Sequence, residues 1–440
     1  MIGTRHVADA VLTCDEKMTL YAPGAVDVDA NGWITWVGPA SAAPPRPRST
    51  VERRPGLLLP GLVNTHCHSP MAVLRGQGEG LPLSRWLNEV IWPREAKLTA
   101  DDIYWGMTLA TAELLRYGVT TTVEMYFHDD ALAAAVDASG ARCLVTPGVV
   151  VAPGWERFGT WQERIEWIGG LREQYAGHRC IEVGFGPHSA YVLPDEAISA
   201  VGEAARATGA LVHMHVAETE HEGDEVSARH GGASVPAILA DLGLFDGNRV
   251  LAAHSVWLSD SDIALFGEHE VAVAHCPGSN AKLASGTARL ADLLQAGIRV
   301  GLGTDGPASG NDLDLWEEMR LAALFARQRE RDPTVLPAPV VLGLATRDGA
   351  AALGRNDLGV LAPGRQADIV RIDLVDPGFV PVLTDLDLIA HAVWSAPRQQ
   401  VRDVWVAGRQ VVADGACVTI DVAAAARNVQ AAAVRLANGG

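Results

Sequence analysis

Two kinds of apolar pattern alternate along the chain between residue 57 and about residue 350. Short apolar and β-branched runs are typical of buried strands, and stretches with the spacing of amphipathic helices separate them. Eight such alternations predict a closed parallel (β/α)8 barrel, a TIM barrel of the α/β class. The candidate strands are residues 57–66, 119–126, 142–151, 181–188, 211–216, 250–254, 271–275 and 298–304. The candidate helices are residues 101–117, 129–139, 160–175, 194–208, 235–242, 259–268, 287–296 and 311–329.

The N-terminal segment has a different pattern, in which apolar and polar residues alternate over short distances. Residues 8–13 and 25–29 both alternate in this way, which is typical of half-buried strands. Asn31-Gly32 lies between 25–29 and the apolar residues 34–37, and this dipeptide predicts a two-residue hairpin. We therefore expect short antiparallel strands before the barrel begins.

Strand patterns return after about residue 355, at 367–372 and 401–412, before an Ala-rich helical stretch at 422–436. We expect the two chain ends to meet in one small β-sandwich beside the barrel. The predicted domains are residues 1–56 for the N-terminal part of the sandwich, 57–358 for the barrel, and 359–440 for the C-terminal part with its terminal helix.

Composition narrows the class of partner. The 440 residues carry a formal charge of −18, which disfavours nucleic acid and anionic membranes because phosphate binding needs clustered Lys and Arg. The six cysteines are scattered without a C-x-x-C pair, as is typical of reduced thiols in a cytoplasmic protein. No signal peptide and no membrane-spanning window is apparent. We expect the partner to be a small-molecule substrate.

The first predicted strand ends in two histidines, His66 and His68. Side chains two apart on a strand point to the same face, so both imidazoles can reach one metal ion. Neutral imidazole is a good zinc ligand, but His-x-His alone is equally typical of polar residues that cap a strand. The interpretation therefore depends on what the other strands carry.

Several other predicted strands also end in residues that can serve chemistry. In a TIM barrel these ends meet on one rim, where the active site lies. Three histidines and an aspartate can hold one zinc and leave a position for water, whose pKa zinc lowers to about 7. A carboxylic acid in the same pocket can pass a proton to a substrate nitrogen when its pKa is raised. The residues at the strand ends are His188, His215, Glu218, His254, His275 and Asp305.

Some of these residues have a plain structural interpretation as well. His188 can be a hydrogen-bonded loop histidine, and His275 favours packing or support. His213 lies two residues before His215 on the same face and is interpreted as a deeper barrel-core histidine. Trp86 and Trp92 follow the first strand and are either core residues or lids over an aromatic substrate.

Ten short motifs are spread over essentially the whole chain. They are PGLVNTHCHSPM at 60–71, LRG at 74–76, WL at 86–87, MYFH at 125–128, GFGPHS at 184–189, HVAET at 215–219, AHS at 253–255, PGSNAKL at 277–283, GTDG at 303–306 and GRQADIV at 364–370. Together they resemble the amidohydrolase superfamily. The resemblance is to its branch of aminohydrolases that act on methylthioadenosine, S-adenosylhomocysteine and related adenosyl compounds.

The resemblance implies one zinc ion, held by His66, His68, His215 and Asp305. The fourth strand ends without the lysine that, as a carbamate, bridges the metals of two-zinc members, which favours a single ion. The resemblance also implies a homo-oligomer.

The implied reaction is the hydrolytic deamination of a heteroaromatic ring. Asp305 would take the proton of the attacking water, and Glu218 would protonate the ring nitrogen beside the attacked carbon. His254 would stabilise the hydroxide and the developing tetrahedral centre. The implied substrate contacts are His188, Glu95 at the ribose hydroxyls, and Trp86 and Ser309 along the pocket.

The 5′ substituent of the substrate is left open at one position. Relatives in this branch that deaminate S-adenosylhomocysteine carry an arginine just after the third strand, where this chain has Pro147. Arg157 or Arg164 is the candidate replacement for pairing with the carboxylate. A smaller 5′ group, as in 5′-deoxyadenosine, methylthioadenosine or adenosine, is at least as well favoured.

Two other functions compete with this one. The first is an amino- or chlorohydrolase of a free heteroaromatic ring of the guanine, pterin or triazine type. Such a substrate has no ribose for Glu95 to bind. The second is a non-catalytic scaffold, which predicts lost zinc ligands, and none of the expected ligands is missing.

Overall fold

The computed structural model describes residues 3–45, 50–152, 154–395 and 398–438. The strands are β1 (Thr4–Ala8), β2 (Ala10–Leu12), β3 (Leu20–Tyr21), β4 (Gly24–Val28), β5 (Ile34–Pro39), β6 (Thr50–Arg53), β7 (Leu57–Pro60), β8 (Leu62–Cys67), β9 (Val119–Glu124), β10 (Arg142–Val145), β11 (Gly148–Val149), β12 (Ile181–Val183), β13 (Gly186–Pro187), β14 (Leu211–Val216), β15 (Arg249–His254), β16 (Ala272–His275), β17 (Val300–Leu302), β18 (Ile369–Ile372), β19 (Val401–Val406), β20 (Arg409–Ala413) and β21 (Ala416–Cys417).

The helices lie mainly between the parallel strands, as the alternating pattern predicts. They are α1 (Leu83–Arg85), α2 (Trp92–Glu95), α3 (Ala100–Arg116), α4 (Asp129–Ser139), α5 (Trp161–Gln174), α6 (Asp195–Thr208), α7 (Asp224–Arg229), α8 (Val235–Asp241), α9 (Asp260–Glu268), α10 (Pro277–Lys282), α11 (Leu290–Gln295), α12 (Leu315–Glu330), α13 (Ala338–Leu344), α14 (Arg347–Ala352), α15 (Asp385–Trp394) and α16 (Val422–Ala437). Within the described residues, no helix combines the length and hydropathy that crossing a bilayer requires.

Eight parallel strands close into a ring, which confirms the predicted barrel. Two four-stranded sheets, β12-β10-β9-β8 and β14-β15-β16-β17, form its halves. Parallel bridges join the halves at two seams, Phe185 with Val212 and Cys67 with Asp305. The second seam includes a bond of 3.1 Å from the Asp305 amide to the His66 carbonyl, so the first and eighth strands meet beside the candidate ligands.

Small and branched apolar side chains fill the lower part of the ring. Val63, Leu211 and Leu251 lie near the start of their strands and pack in one buried cluster with Ala350 and Leu353 from the α14 region. This plug closes the amino-terminal end of the barrel. The polar strand ends are therefore left to line the opposite face, as expected for a TIM barrel.

The two chain ends meet in a seven-stranded sheet with the order β21-β20-β19-β18-β7-β2-β3. A second sheet, β5-β4-β1-β6, contains the remaining N-terminal strands. The pairing of β18 with both β19 and β7 joins the C-terminal segment to the N-terminal one. The division into domains at residues 1–56, 57–358 and 359–440 stays a prediction.

The predicted first strand, 57–66, is two strands in two different sheets. The Gly61 amide donates to the Asp368 carbonyl at 2.9 Å, whereas the next amide, of Leu62, donates to the Gly118 carbonyl at 2.9 Å. The chain therefore leaves the sandwich and enters the barrel at Gly61. A side chain here would collide with Thr120, whose Oγ1 lies 2.1 Å from the position of a Cβ atom.

The predicted hairpin forms between β4 and β5, but its turn is longer than two residues. Val28 pairs with Ile34, so five residues connect the strands. The Asp29 carboxylate accepts hydrogen bonds of 2.9 Å from the amides of Asn31 and Trp33. This Asx-type arrangement stabilises the wider turn that the dipeptide rule does not anticipate.

Candidate metal centre and active site

Four residues predicted as metal ligands lie together at the carboxyl end of the barrel. Asp305 Oδ1 is 3.3 Å from Nε2 of both His66 and His68, and His68 Nε2 is 3.2 Å from His215 Nε2. Two groups of three residues have ligand atoms within 4.8 Å of one another. One group is His66, His68 and Asp305, and the other is His66, His215 and His254. The first, fifth and eighth strands therefore bring these residues together, as the sequence predicts.

Backbone carbonyl groups orient two of the imidazoles. His68 Nδ1 lies 2.6 Å from the Met125 carbonyl oxygen, and His215 Nδ1 lies 2.8 Å from the His188 carbonyl oxygen. A carbonyl only accepts, so Nδ1 carries the proton in both rings. Nε2 then keeps its lone pair and faces the centre, which is the tautomer that a metal requires.

A chain of hydrogen bonds gives His66 the same tautomer. The Thr146 hydroxyl donates to the Glu124 carbonyl at 2.9 Å and lies 3.0 Å from His213 Nδ1. It therefore accepts the Nδ1 proton of His213, whose Nε2 lies 2.7 Å from His66 Nδ1 and accepts in turn. The lone pair of His66 is left on Nε2, a buried nitrogen without a hydrogen-bond partner among the described residues.

Asp305 divides its two carboxylate oxygens between different tasks. Oδ2 accepts hydrogen bonds of 2.6 Å from the hydroxyls of Ser279 and Ser309, while Oδ1 faces the histidines. Burial opposes ionisation, but the imidazoles of His66 and His68 hold the pKa of Asp305 well below its ordinary value. Burial lowers the pKa of His66 to about 3 and that of His215 well below its ordinary value, so these two imidazoles are neutral.

Glu218 lies beside this cluster with its side chain buried. Burial, and next the charge of Asp305, raise its pKa to about 8. Its Oε1 is 3.5 Å from the Ser285 hydroxyl, and its Oε2 is 3.7 Å from His254 Nε2. Glu218 therefore holds a proton at neutral pH, in a position to donate it.

The orientation of His254 is fixed from behind. Its Nδ1 lies 2.9 Å from Asn280 Oδ1, and an amide oxygen only accepts, so Nδ1 carries the proton and Nε2 points at Glu218. The backbone of His254 has φ 67°, a left-handed conformation that is uncommon outside glycine and turns the chain sharply after β15.

A cavity of about 630 Å³ lies directly above the cluster. Burial raises the pKa of Glu95, one of its wall residues, to about 7. Of the predicted substrate contacts, Trp86, Glu95 and His188 line this cavity. Ser309 is not part of the cavity wall among the described residues. Its hydroxyl instead donates a hydrogen bond to Asp305 Oδ2. Trp92, for which core and lid positions were both open, is part of the wall.

Sequence reasoning missed the support given by three residues. The sequence pattern predicts a core position for His213, and the structure shows that this residue also fixes the tautomer of His66. Asn280 orients His254, and Glu124 accepts bonds of 2.8 and 2.5 Å from the amide and hydroxyl of Ser69, just after His68. The His-x-His spacing in β14, repeated from β8, was the one signal that pointed to His213.

Comparisons with known proteins identify the family of the chain. The family model described as "Amidohydrolase family" matches residues 57–411. A 5-methylthioadenosine/S-adenosylhomocysteine deaminase of Pelotomaculum thermopropionicum is 38% identical over 433 residues, which are 97% of each chain. A 5′-deoxyadenosine deaminase of Methanosarcina mazei is 40% identical over 427 residues, 97% of this chain and 96% of that one. The crystal structure of an adenosine deaminase from Xanthomonas campestris with bound zinc superposes with a TM-score of 0.93 at 35% identity, covering 99% and 98% of the two chains.

Proposed function

Because the chain belongs to the amidohydrolase family, we propose that it is a zinc-dependent deaminase of an adenosine derivative. The reaction consumes water and yields the corresponding inosine derivative and ammonia. The relatives' names support methylthioadenosine, S-adenosylhomocysteine, 5′-deoxyadenosine and adenosine as the substrate class. The observation that carries the proposal is a four-ligand cluster beside Glu218, a carboxyl group protonated at neutral pH.

The residues present fit a single zinc ion. The buried Nε2 of His66 has no hydrogen-bond partner among the described residues. Three imidazoles with one carboxylate are a donor set that zinc prefers. His66, His68, His215 and Asp305 would hold the ion. When bound, zinc supplies the Lewis acidity that makes hydroxide available at neutral pH. The count of one ion per chain follows the resemblance and is part of the proposal.

Three side chains of the protein would move or hold protons. Glu218 donates to the ring nitrogen next to the attacked carbon, since its pKa of about 8 keeps it protonated. Asp305 accepts a proton from the attacking water at the carboxylate oxygen that the two serines leave free. Asn280 holds the Nδ1–H group of His254, so Nε2 accepts a hydrogen bond from the O–H group at the developing tetrahedral centre. A further proton then reaches the amino group, which leaves as ammonia.

The cavity wall would bind the remainder of the nucleoside. Trp86 offers an aromatic edge to the purine, and His188 lies beside the ligand cluster in the same wall. Glu95 would accept hydrogen bonds from the ribose hydroxyls. Homo-oligomerisation stays a prediction of the family resemblance.

Ammonia release by the zinc-loaded enzyme tests the proposed function. The panel contains adenosine, 5′-deoxyadenosine, methylthioadenosine, S-adenosylhomocysteine, guanine and a pterin, compared by kcat/KM. We expect an adenosyl compound to be the best substrate, with the absorbance change of adenine becoming hypoxanthine. Turnover of the free bases alone would contradict a nucleoside pocket.

Replacing Glu95 separates the nucleoside deaminase from an enzyme of free heteroaromatic rings. Glu95→Gln is expected to lower kcat/KM for the adenosyl substrate by about 10- to 100-fold, because hydrogen bonds to a charged group contribute about 1.5–3 kcal/mol. The variant should leave turnover of a free base nearly unchanged. Glu89→Gln is the control, since Glu89 pairs with Arg85 at the surface. Equal losses for both substrates would argue for the free-ring enzyme.

A further inference from the structure

A second, wider depression adjoins the cavity. Its volume is about 1670 Å³, and we call it the outer groove. The groove is lined by residues from 82–92, 151–152, 191–192, 219–229 and 283–285, together with Trp257. Leu83, Leu87, Trp92 and Tyr191 line both spaces, so the two are continuous and share an apolar wall.

The polar side of the outer groove is acidic. In the described part of the chain, its wall carries three carboxylates, from Glu220, Glu222 and Glu225, and one guanidinium, from Arg229. Glu222 is engaged in the loop, where its Oε2 accepts bonds of 2.9 Å from the amides of Glu218 and Thr219. Glu220 and Glu225 are exposed. Glu220 Oε2 lies 4.0 Å from Nε2 of His221, which is part of the same wall.

The arginines that follow the third strand do not offset this charge. Arg157 donates bonds of 3.0 Å to the carbonyls of Glu95 and Leu98, and its guanidinium stacks 4.6 Å from the Phe158 ring centroid. Arg164 donates to Asp129 at 2.6 Å. Neither arginine is part of the described wall of the cavity or of the groove, so neither is placed to receive a carboxylate of the ligand.

We propose that the outer groove binds the 5′ substituent of the nucleoside and selects it by charge, accepting neutral and cationic groups and disfavouring anionic ones. The inference rests on the proposed function. When the ring lies at Glu218 and the ribose at Glu95, the 5′ carbon lies next to the apolar wall that the cavity and the outer groove share. The apolar wall then packs against an alkyl or thioether stem, and the glutamates attract an ammonium group at its end.

Three adenosine 5′-thioethers of matched length test the selection, with a butyl, a 3-aminopropyl and a 2-carboxyethyl group. We expect kcat/KM to fall in the order cation, neutral, anion at pH near 8. The cation should exceed the anion by about tenfold at about 10 mM salt, because each exposed charge contributes about two- to threefold. The ratio should shrink towards one at about 500 mM salt, where the Debye length is only about 4 Å.

Charge variants assign the effect to the groove. The double variant Glu220→Gln/Glu225→Gln should remove most of the preference for the cation over the anion. Arg229→Gln should widen the preference by about twofold. The matched control is Glu173→Gln/Glu203→Gln, which removes two exposed carboxylates from α5 and α6. The control should keep the wild-type ratio.

Two readouts keep the inference separate from the proposed function. Suppose that 5′-deoxyadenosine is deaminated but the three thioethers have equal kcat/KM at low salt, or the anion has the highest value. Selection by charge is then wrong, and the proposed deaminase function is unaffected. If no adenosyl compound is deaminated, the proposed function is wrong. Dissociation constants of the matching 5′-substituted inosines, followed by tryptophan fluorescence, still test the groove: the cation should bind most tightly, and equal affinities would overturn the inference.

Discussion

At the scale of single residues, the candidate site depends on tautomers that are set outside it. His66 presents a lone pair at Nε2 because its one N–H proton is on Nδ1, where His213 accepts it. Thr146 fixes the orientation of His213 in turn. The strand pattern predicts that His66, His68 and His215 share a rim. It does not reveal the hydrogen bonds that turn each ring, since Thr146 and His213 come from strands far apart in sequence.

His213→Leu should therefore weaken zinc binding without removing a ligand. The Nδ1 proton of His66 would lose its acceptor, and such supporting partners typically contribute 10- to 100-fold (about 1.4–2.8 kcal/mol) to metal affinity. His213→Gln should recover part of the loss, because the amide oxygen can take the place of Nε2. The measurement is competition with a zinc chelator. Wild-type affinity in His213→Leu would show that the chain of bonds has no role in holding the metal.

The protonation of Glu218 predicts a limit on activity at alkaline pH. Burial raises the pKa of Glu218 to about 8, and an acid must be protonated to donate. The value of kcat/KM should therefore fall as pH rises through about 8. Glu218→Gln should lower kcat by about 10²- to 10⁴-fold with zinc still bound, and should remove that limb of the profile. Glu196→Gln, on the outer surface of α6, should keep it. An alkaline limb that survives in Glu218→Gln would belong to another group.

At the scale of elements, the eight parallel strands of the barrel could be predicted, but not all strand boundaries or partners. The predicted strands 57–66, 142–151 and 181–188 are each two strands. Parallel strands buried on both faces produce long apolar runs, and these runs locate the barrel. The change of sheet at Gly61 depends on carbonyl groups of Asp368 and Gly118, one of them some three hundred residues away. The local sequence reads as one continuous strand, so the boundary between the sheets was missed.

One buried ion pair joins the barrel to the sandwich sheet. Arg142, in β10, donates to both oxygens of Asp368 at 3.1 and 3.0 Å, and Asp368 also accepts from the Ala407 amide at 2.7 Å. Arg142→Met would leave a buried carboxylate without its counter-ion, and we expect the free energy of unfolding to fall by about 3–5 kcal/mol. Urea denaturation measures it. The control Arg299→Met breaks an exposed ion pair with Glu270 and should lower the free energy of unfolding by less than about 1 kcal/mol. Equal losses of unfolding free energy in the two variants would argue against a special role for the buried pair.

At the scale of the whole molecule, the candidate metal centre is also a structural connection. Its ligands come from the end of β8, from β14, and from Asp305, which follows β17 and forms the seam with β8. The two halves of the barrel therefore contribute to one cluster. Without a cation, three imidazoles and a carboxylate are crowded into a buried space with no other partner for His66 Nε2 among the described residues. Removing a metal that is bound only in the folded state must therefore lower stability as well as activity.

Chelation should abolish ammonia release and lower the melting temperature, and zinc should restore both. At a free zinc concentration of about one hundred times the dissociation constant, binding contributes about 2.7 kcal/mol. For a chain of this length that corresponds to roughly 3 °C, from an unfolding entropy of about 2 cal/mol/K per residue. Differential scanning fluorimetry with and without a chelator measures the shift, and Asp305→Asn should show a smaller one because a ligand charge is gone. A melting temperature unchanged after measured loss of zinc would mean that the ion serves the chemistry and does not hold the two halves of the barrel together.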